Sequence, residues 1–451
     1  METLVLAAGK GTRMKSKLPK VLHKVGGKPM LQHVTDAAKR AGSSREVVVI
    51  GSGAELVQQT ISGVEFVLQE EQLGTGHAVL SAKKKFAKSE GTLLILCGDT
   101  PLLTSSLLKN FVNAHEKSHC AATVLTAIMH DPAGYGRVIL ETDNTFQKIV
   151  EEKDATDDEK KICIVNAGVY CFDVQKLFGS LEKISNDNAQ GEYYLPDVLP
   201  ILKNAGEKIG TFAADYADDV IGINDRVQLA AADKSLRLRK ERELMENGVT
   251  IVDPATTFID VDVEIGQDTI IHPNTYLEGN TKIGADCEIG PDVRFVNMIV
   301  GNRVKAQFSY CHDATIDNDV TIGPYVHIRP DSKIKDRVKI GNFVEVKNST
   351  IGEGTKLPHL QYIGDSDVGN NVNIGCGTVT CNYDGKKKYR TKIGDNVFVG
   401  CNTNLVAPVE IGDGAYIGAG STINKDVPKN YLAIARAQQV NIPNWNDKRK
   451  N

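Results

Sequence analysis

The chain lacks an excess of charge of either sign. Its formal net charge is −4 over 451 residues, and no run of Lys and Arg offers the basic groove that a nucleic acid would need. No apolar stretch is long enough to span a bilayer, and Met1 leads into a strand-like run rather than a charged-then-apolar leader. The nine cysteines are scattered and none forms a CxxC pair; Cys376 and Cys381 stand near each other without the companions of a zinc site. These absences point away from nucleic acid and membrane, and a cytoplasmic location is expected. Two nucleotide-binding signatures are missing as well. Gly9-Lys10-Gly11-Thr12-Arg13-Met14 has Met where the dinucleotide fingerprint needs its third glycine, and GxxxxGK[ST] does not occur.

What is present in the second half is a ladder. Ile265, Ile271, Leu277, Ile283, Ile289 and Phe295 stand six apart, as do Ile316 to Val346 and Ile393 to Ile423, often with Gly following. A period of six fits neither a helix at 3.6 nor a strand at 2. It fits a hexapeptide β-helix, in which three short strands make one coil and stacked coils make the core. The ladder loses its phase after Phe295 until Ile316, and again between Ile374 and Ile393. There the polar stretch CNYDGKKKYR is too long for a coil corner and is expected to project.

The first half alternates strand and helix patterns. Strands are expected at Thr3 to Ala8, Val47 to Ile50, Val64 to Leu68 and Leu93 to Leu96, and helices from Pro29 to Ala41, Ala54 to Ile61 and Gly76 to Phe86. Such alternation implies a mostly parallel sheet with ligands beyond the carboxyl ends of its strands. The Gly9 loop and Asp99 both fall there. Taken alone, the loop fits either a polyphosphate cradle, with Lys10, Arg13, Lys15, Lys17 and Lys20 close by, or a plain turn with a solvated basic face. Asp99 fits either a Mg²⁺ ligand or a turn former.

The combination is more specific. LAAGKGTRM, LPKVL, LQEEQLGTGHA and CGD, followed by GYGR, VEEKDA, VNAGVY, QGEYYLPD and GIND, resembles the sugar-nucleotide pyrophosphorylases across the whole first half. Within that family it resembles the enzymes that transfer uridylyl to N-acetylglucosamine 1-phosphate. The resemblance implies that Leu6, Ala7, Ala8 and Gly9, with Gln69, Gly74 and Thr75, meet uracil and ribose, and that Cys97, Gly98 and Asp99 belong to the same UTP site. It places Mg²⁺ on Asp99 and Asn224, the acetamido sugar on Gly136, Glu151 and Asn166, and the triphosphate against Arg13 and Lys20. Since the attacking sugar phosphate is already an anion, positioning and charge neutralisation are the chemistry such a site must supply.

Within a linker over 226–248, Arg226 to Asn247 reads as one long helix joining the halves, with Asp225 as N-cap and Gly248 just beyond its end. Further on, VHIRPDSKI, NFVEVKNS, HLQYIGD, NVNIGCGTVTCNYDG and FVGCNTNLVAP resemble the acetyltransferase half of the bifunctional N-acetylglucosamine-1-phosphate uridylyltransferase/glucosamine-1-phosphate N-acetyltransferase family. That resemblance implies His359 as the general base that takes a proton from the substrate amine while it attacks acetyl-CoA. It implies Arg329 and Lys347 on the sugar 1-phosphate, Tyr362 and Asn373 on the sugar, and Asn382 and Tyr383 near the acetyl group. Cys376, Cys401, Ala419 and Arg436 would line the coenzyme A path. Cys376 and Cys401 depart from the family pattern, which has Ala and Ser there. The expected organisation is an α/β nucleotidyltransferase domain over 1–225, the helix, a left-handed parallel β-helix over 249–437 and a polar, loosely held tail over 438–451. A homotrimer formed through the coils is implied as well. The competing readings are a coil that serves as an oligomerisation platform without chemistry, and a non-enzymatic scaffold that keeps both folds.

Overall fold

A computed structural model describes residues 1–449; the last two residues of the expected tail, 450 and 451, lie outside the described residues. The chain forms two compact units, one spanning Met1–Leu236 and a second beginning at Arg237.

The first unit is built on the strand Glu2–Ala7, whose apolar residues alternate between two cores. Val5 and Ala7 face one apolar cluster and Leu4 the other, as the two-residue period of a strand requires. The strand pairs in parallel with Glu46–Ile50 on one side and Thr92–Cys97 on the other. Glu65–Leu68 extends the parallel part. Beyond Thr92–Cys97 the sheet turns mixed, because the ten-residue strand Ile164–Asp173 runs antiparallel to it and to Ala122–Ile128. The helices Met30–Arg40 and Ser105–Ser118 send apolar residues into the first cluster, and Thr75–Ser81 and Val174–Leu181 into the second. The expected helix from Gly76 to Phe86 is interrupted. An α-helix ends at Ser81, and a 3-10 turn follows over Lys83–Phe86 and buries Phe86.

The long helix Arg226–Glu246 begins as its sequence requires: Asp225 Oδ1 accepts from the amides of Val227 and Gln228, each at 2.9 Å. At its far end Gly248 takes φ 91°, the left-handed conformation of a residue just past a helix.

The second unit is a parallel β-helix with three inward ladders. One runs Ile265, Ile283, Val300, Ile316, Ile334, Ile351, Val368, Ile393 and Ile411. The coil does not stop where the six-residue count fails. Partners Ile283↔Val300 and Val300↔Ile316 are 17 and 16 residues apart, against 18 for Ile316↔Ile334, so these coils are shortened at their corners. Small residues such as Ala306 and Cys311 continue the other two ladders there. The second loss of phase is an insertion. Val368↔Ile393 spans 25 residues where Ile351↔Val368 spans 17, and the extra chain forms the projecting loop.

Corner residues tie one coil to the next. Asn302 Oδ1 accepts from the Ala285 amide at 2.8 Å, Asn318 Oδ1 from Asn302 at 2.9 Å, and Asp336 Oδ1 from Asn318 at 2.7 Å. The glycine before such a corner has a steric reason: a Cβ on Gly284 would lie 2.3 Å from Asn302 Oδ1. Residues 434–446 are exposed.

Two candidate sites, one in each unit

In the first unit, the loop after Glu2–Ala7 folds back so that Gly11 packs on Lys20; a Cβ on Gly11 would lie 2.5 Å from Lys20 Cβ. This turn brings the Lys20 ammonium to the carboxyl end of the sheet. There Nζ donates to Asp99 Oδ2 and, at 3.2 Å, to Asn224 Oδ1. Arg13 Nη2 donates to the same Asn224 oxygen at 2.8 Å. The Asn224 loop is held over Asp99 by the Ile223 amide, which donates to the Asp99 carbonyl at 2.9 Å. Two cations from one loop and two oxygen ligands from two others therefore meet at one point.

Two cavities open from that point. The larger, about 500 Å³, is lined by Leu6 to Gly11, Lys20, Gln69, Gly74, Thr75, Cys97 and Asp99. The smaller, about 210 Å³, is lined by Gly136, Glu151 and Asn166, together with Gly168 and Tyr170. Leu6, Thr75, Cys97 and Asp99 border both. Gly98 stands behind them, its amide donating to the Leu6 carbonyl at 2.9 Å. The smaller cavity sets a few polar groups in a partly apolar wall. Burial, then the charges of Asp154 and Asp197, hold the Glu151 carboxyl above its ordinary value. Asn166 Nδ2 donates to the Tyr170 hydroxyl at 2.6 Å while its Oδ1 accepts from the Gly168 amide at 3.0 Å. Burial pushes the Cys97 thiol up to about 12, so it is a protonated wall rather than a nucleophile. Sequence reasoning did not single out Tyr170, although VNAGVY contains it, nor Gln228, whose Oε1 accepts from the Asn224 amide at 2.7 Å.

Asp99 and Asn224 also provide a test of fit for Mg²⁺. Their side-chain oxygens already converge on one cation, the Lys20 ammonium. Among the described residues no group of three or more His, Cys, Asp or Glu could hold a metal by itself. That suits an ion which takes one or two protein oxygens and completes its shell with substrate phosphates.

In the second unit, two unusually long strands, Lys339–Lys347 and Lys356–Gly364, run side by side. Their register sets Asn342 against His359, Glu345 against Tyr362 and Lys347 against Gly364. His359 Nδ1 lies 2.7 Å from Asn342 Oδ1. Arg329 Nη1 donates to Glu345 Oε1 at 2.7 Å, and Lys347 Nζ lies 3.6 Å from Asp365 Oδ2. Asp365 is opposed by burial, yet hydrogen bonds from Asn348 and Asn382 and the charge of Lys347 hold its carboxyl below the usual range. The projecting loop closes on this cluster: Asn382 Nδ2 reaches both Asp365 Oδ2 and, at 3.4 Å, the Tyr362 hydroxyl. Lys388, farther along the loop, is set against Lys347, and the like charge lowers its ammonium from the ordinary value. Tyr383 is exposed and donates to the Gly385 carbonyl at 2.7 Å. Asn373 does not join this group; it pairs with Lys356 and Phe398, on the adjoining face of the coil.

The remaining residues form a column. Three positions on from the pair Lys356↔Asn373, His359 stands over Cys376. Two positions on from Ile374↔Val399 and from Val399↔Ile417, Cys376 stands over Cys401 and Cys401 over Ala419. Hydrogen bonds confirm the stacking: the Asn402 amide donates to the Cys376 carbonyl at 2.7 Å and the Gly420 amide to the Cys401 carbonyl at 2.8 Å. Arg436 closes the column, with Nη1 donating to the Ala419 carbonyl at 2.6 Å. Glu345, Asp365 and Asn342 escaped notice in the sequence, although each lies inside or beside a quoted motif.

Comparison with known proteins agrees with both units. Residues 3–158 match the MobA-like NTP transferase domain. Residues 262–297, 313–348 and 390–425 match the bacterial transferase hexapeptide of six repeats. Bifunctional protein GlmU of Listeria monocytogenes (serotype 4a) is 52% identical over 439 residues, covering 97% of this chain and 96% of that protein. The GlmU of a Geobacillus species is 52% identical over 446 residues, covering 99% and 97%. That of Syntrophomonas wolfei is 52% identical over 445 residues, covering 98% and 99%. With both domains present in one chain, and half its positions shared over nearly the full length, this protein belongs to the GlmU family of bifunctional acetyltransferase/uridylyltransferases that make UDP-N-acetylglucosamine.

Proposed function

We propose that the two clusters divide the two reactions between them, with acetyl transfer at His359 and uridylyl transfer at Lys20 and Asp99. The observation that carries the assignment is that each unit holds one convergent constellation of the chemistry its reaction needs.

In the second unit, the glucosamine 1-phosphate amine must lose a proton as it attacks the thioester carbon of acetyl-CoA, and coenzyme A leaves as the thiol. Asn342 holds Nδ1 of His359, so Nε2 is the nitrogen free to take that proton. Arg329 and Lys347 supply positive charge for the sugar phosphate, and Tyr362 and Asn382 supply polar groups beside it. Asn373, on the adjoining face, would meet the sugar from a second side. The column Cys376, Cys401, Ala419 and Arg436 leads from the base along successive coils, spaced about 4.8 Å apart. That direction suits an extended carrier such as coenzyme A, with Arg436 suited to its phosphates. His359 is exposed, so a neighbouring chain in a homotrimer would exclude water from it.

In the first unit, the N-acetylglucosamine 1-phosphate oxygen attacks the α-phosphorus of UTP in line, and pyrophosphate departs. The larger cavity takes the nucleotide and the smaller one the acetamido sugar, which places the reacting groups where the two meet at Asp99. Lys20 and Arg13 neutralise the triphosphate as charge builds on the leaving oxygens. Mg²⁺, when bound by Asp99 and Asn224, would supply further neutralisation of the phosphates. No helix among the described residues is long and apolar enough to cross a membrane, and a cytoplasmic location fits that and the nine free thiols.

The test uses the purified protein with glucosamine 1-phosphate, acetyl-CoA, UTP and Mg²⁺, following coenzyme A and pyrophosphate separately. His359→Ala should stop the first release. With N-acetylglucosamine 1-phosphate supplied, the same variant should still release pyrophosphate. Retained acetyl transfer in that variant would overturn the assignment.

A further inference from the structure

Gln69 lines the nucleotide cavity and is nearly buried, at 3% exposure. Its side-chain nitrogen makes two contacts. Nε2 donates to the Gly74 carbonyl at 3.3 Å and lies 3.0 Å from Nδ1 of His77, on the helix Thr75–Ser81. An amide nitrogen only donates, so His77 must present Nδ1 as the acceptor and carry its proton on Nε2. With both Nε2 hydrogens engaged, Oε1 is the amide atom that remains to face a ligand. Turning the amide over would set Oε1 against the Gly74 carbonyl, two acceptors face to face.

The Gly74 contact is long and would hold the amide only loosely. Yet Gly74 itself is pinned: the Tyr193 amide donates to Leu73 at 2.8 Å and the Gly76 amide to Tyr193 at 2.7 Å. A Cβ on Gly74 would lie 2.6 Å from the Tyr193 carbonyl oxygen. The carbonyl and the imidazole are therefore two fixed acceptors, and the imidazole is the nearer.

We infer that His77 is a positioning residue that sets the base selectivity of uridylyl transfer by locking the Gln69 amide with its oxygen toward the base. The inference rests on the reading of the larger cavity as the nucleotide site, with Gln69 against the base. Uracil offers an N3–H donor, which an amide oxygen accepts. Cytosine offers at N3 an unprotonated acceptor, which meets that oxygen with repulsion. An amide free to turn could satisfy either base, since Nε2 would donate to cytosine N3. Discrimination thus requires the lock as well as the glutamine, and a site that leaves a buried polar group unpaired rejects the wrong ligand strongly.

The experiment measures kcat/KM for UTP and for CTP with N-acetylglucosamine 1-phosphate, in the full-length protein, for the wild type and for His77→Leu, His77→Ala and His77→Asn. Asparagine carries an amide oxygen near the place of Nδ1 and should restore the lock. The UTP-to-CTP ratio should fall at least tenfold in His77→Leu and His77→Ala and stay within about threefold of wild type in His77→Asn. Equal losses for both nucleotides, with the ratio unchanged, would mean a merely structural histidine and would overturn the inference. Gln69→Ala separates the two levels. A ratio unchanged in that variant removes the base contact itself. A ratio lowered in Gln69→Ala but untouched in the His77 variants removes the lock alone.

Discussion

Asn342 Oδ1 faces His359 Nδ1 at 2.7 Å across neighbouring coils. The amide oxygen accepts, so Nδ1 carries the proton, and Nε2 keeps the lone pair that a general base needs. Asn342→Ala should lower kcat for acetyl transfer by roughly 10- to 100-fold, less than loss of the imidazole itself. Uridylyl transfer in the same preparation should be unchanged. Full acetyl transfer in Asn342→Ala would show that the ring is oriented by something else.

Asp99 is bound to Lys20 and borders both cavities of the first unit. Replacing it with Ala removes the carboxylate proposed to hold Mg²⁺ and leaves the Lys20 ammonium without that partner. Pyrophosphate release should become undetectable in Asp99→Ala while coenzyme A release continues at the wild-type rate. Chelating divalent cations in the wild type should produce the same split. Uridylyl transfer that survived the substitution at near wild-type rate would remove the metal assignment.

Both folds can be read from the sequence because their physics is periodic or local. Asp225 caps its helix by a hydrogen bond two and three residues away, and Ile316 and Ile334 meet because the coil repeats. Two things escape such reading. Shortened corners hide Val300, Ala306 and Cys311, where the coil persists but the count of six does not. Orienting contacts are hidden as well, because Asn342 meets His359 by strand register and His77 meets Gln69 across a loop. Asn373 shows the reverse case: a motif names it, yet the coil turns it onto the face adjoining Tyr362.

Glu241, on the long helix, is 1% exposed, and among the described residues its Oε2 has no hydrogen-bond partner. Burial pushes its carboxyl up to about 7 against an ordinary 4.5, with Arg237 opposing. A raised acid binds its proton more tightly folded than unfolded, so stability falls as pH rises from about 4.5 to about 7, and the loss persists above that. Glu241→Gln keeps the shape and removes the charge. It should raise the melting temperature by a few degrees at pH 8, on the order of 1–2 kcal/mol after solvent screening, and change it little at pH 5. An equal effect at both pH values would show that charge burial is not the cause.

Cys376 and Cys401 stand on the column that leads away from His359. Cys401 is exposed and Cys376 half-buried. Alkylation follows access to the thiolate, so Cys401 should react first among the column thiols. An added acetamide there would block the proposed coenzyme A path without touching His359. Iodoacetamide should therefore abolish acetyl transfer and spare uridylyl transfer, even though Cys163 in the first unit is also exposed. Acetyl-CoA should protect, and Cys401→Ser should remain active and resist the reagent. If Cys401→Ser were inactivated as fast as the wild type, the sensitive thiol would have to lie elsewhere, with Cys376 and the half-buried Cys381 next to be replaced. If acetyl-CoA gave no protection, the column would not be the path of the carrier.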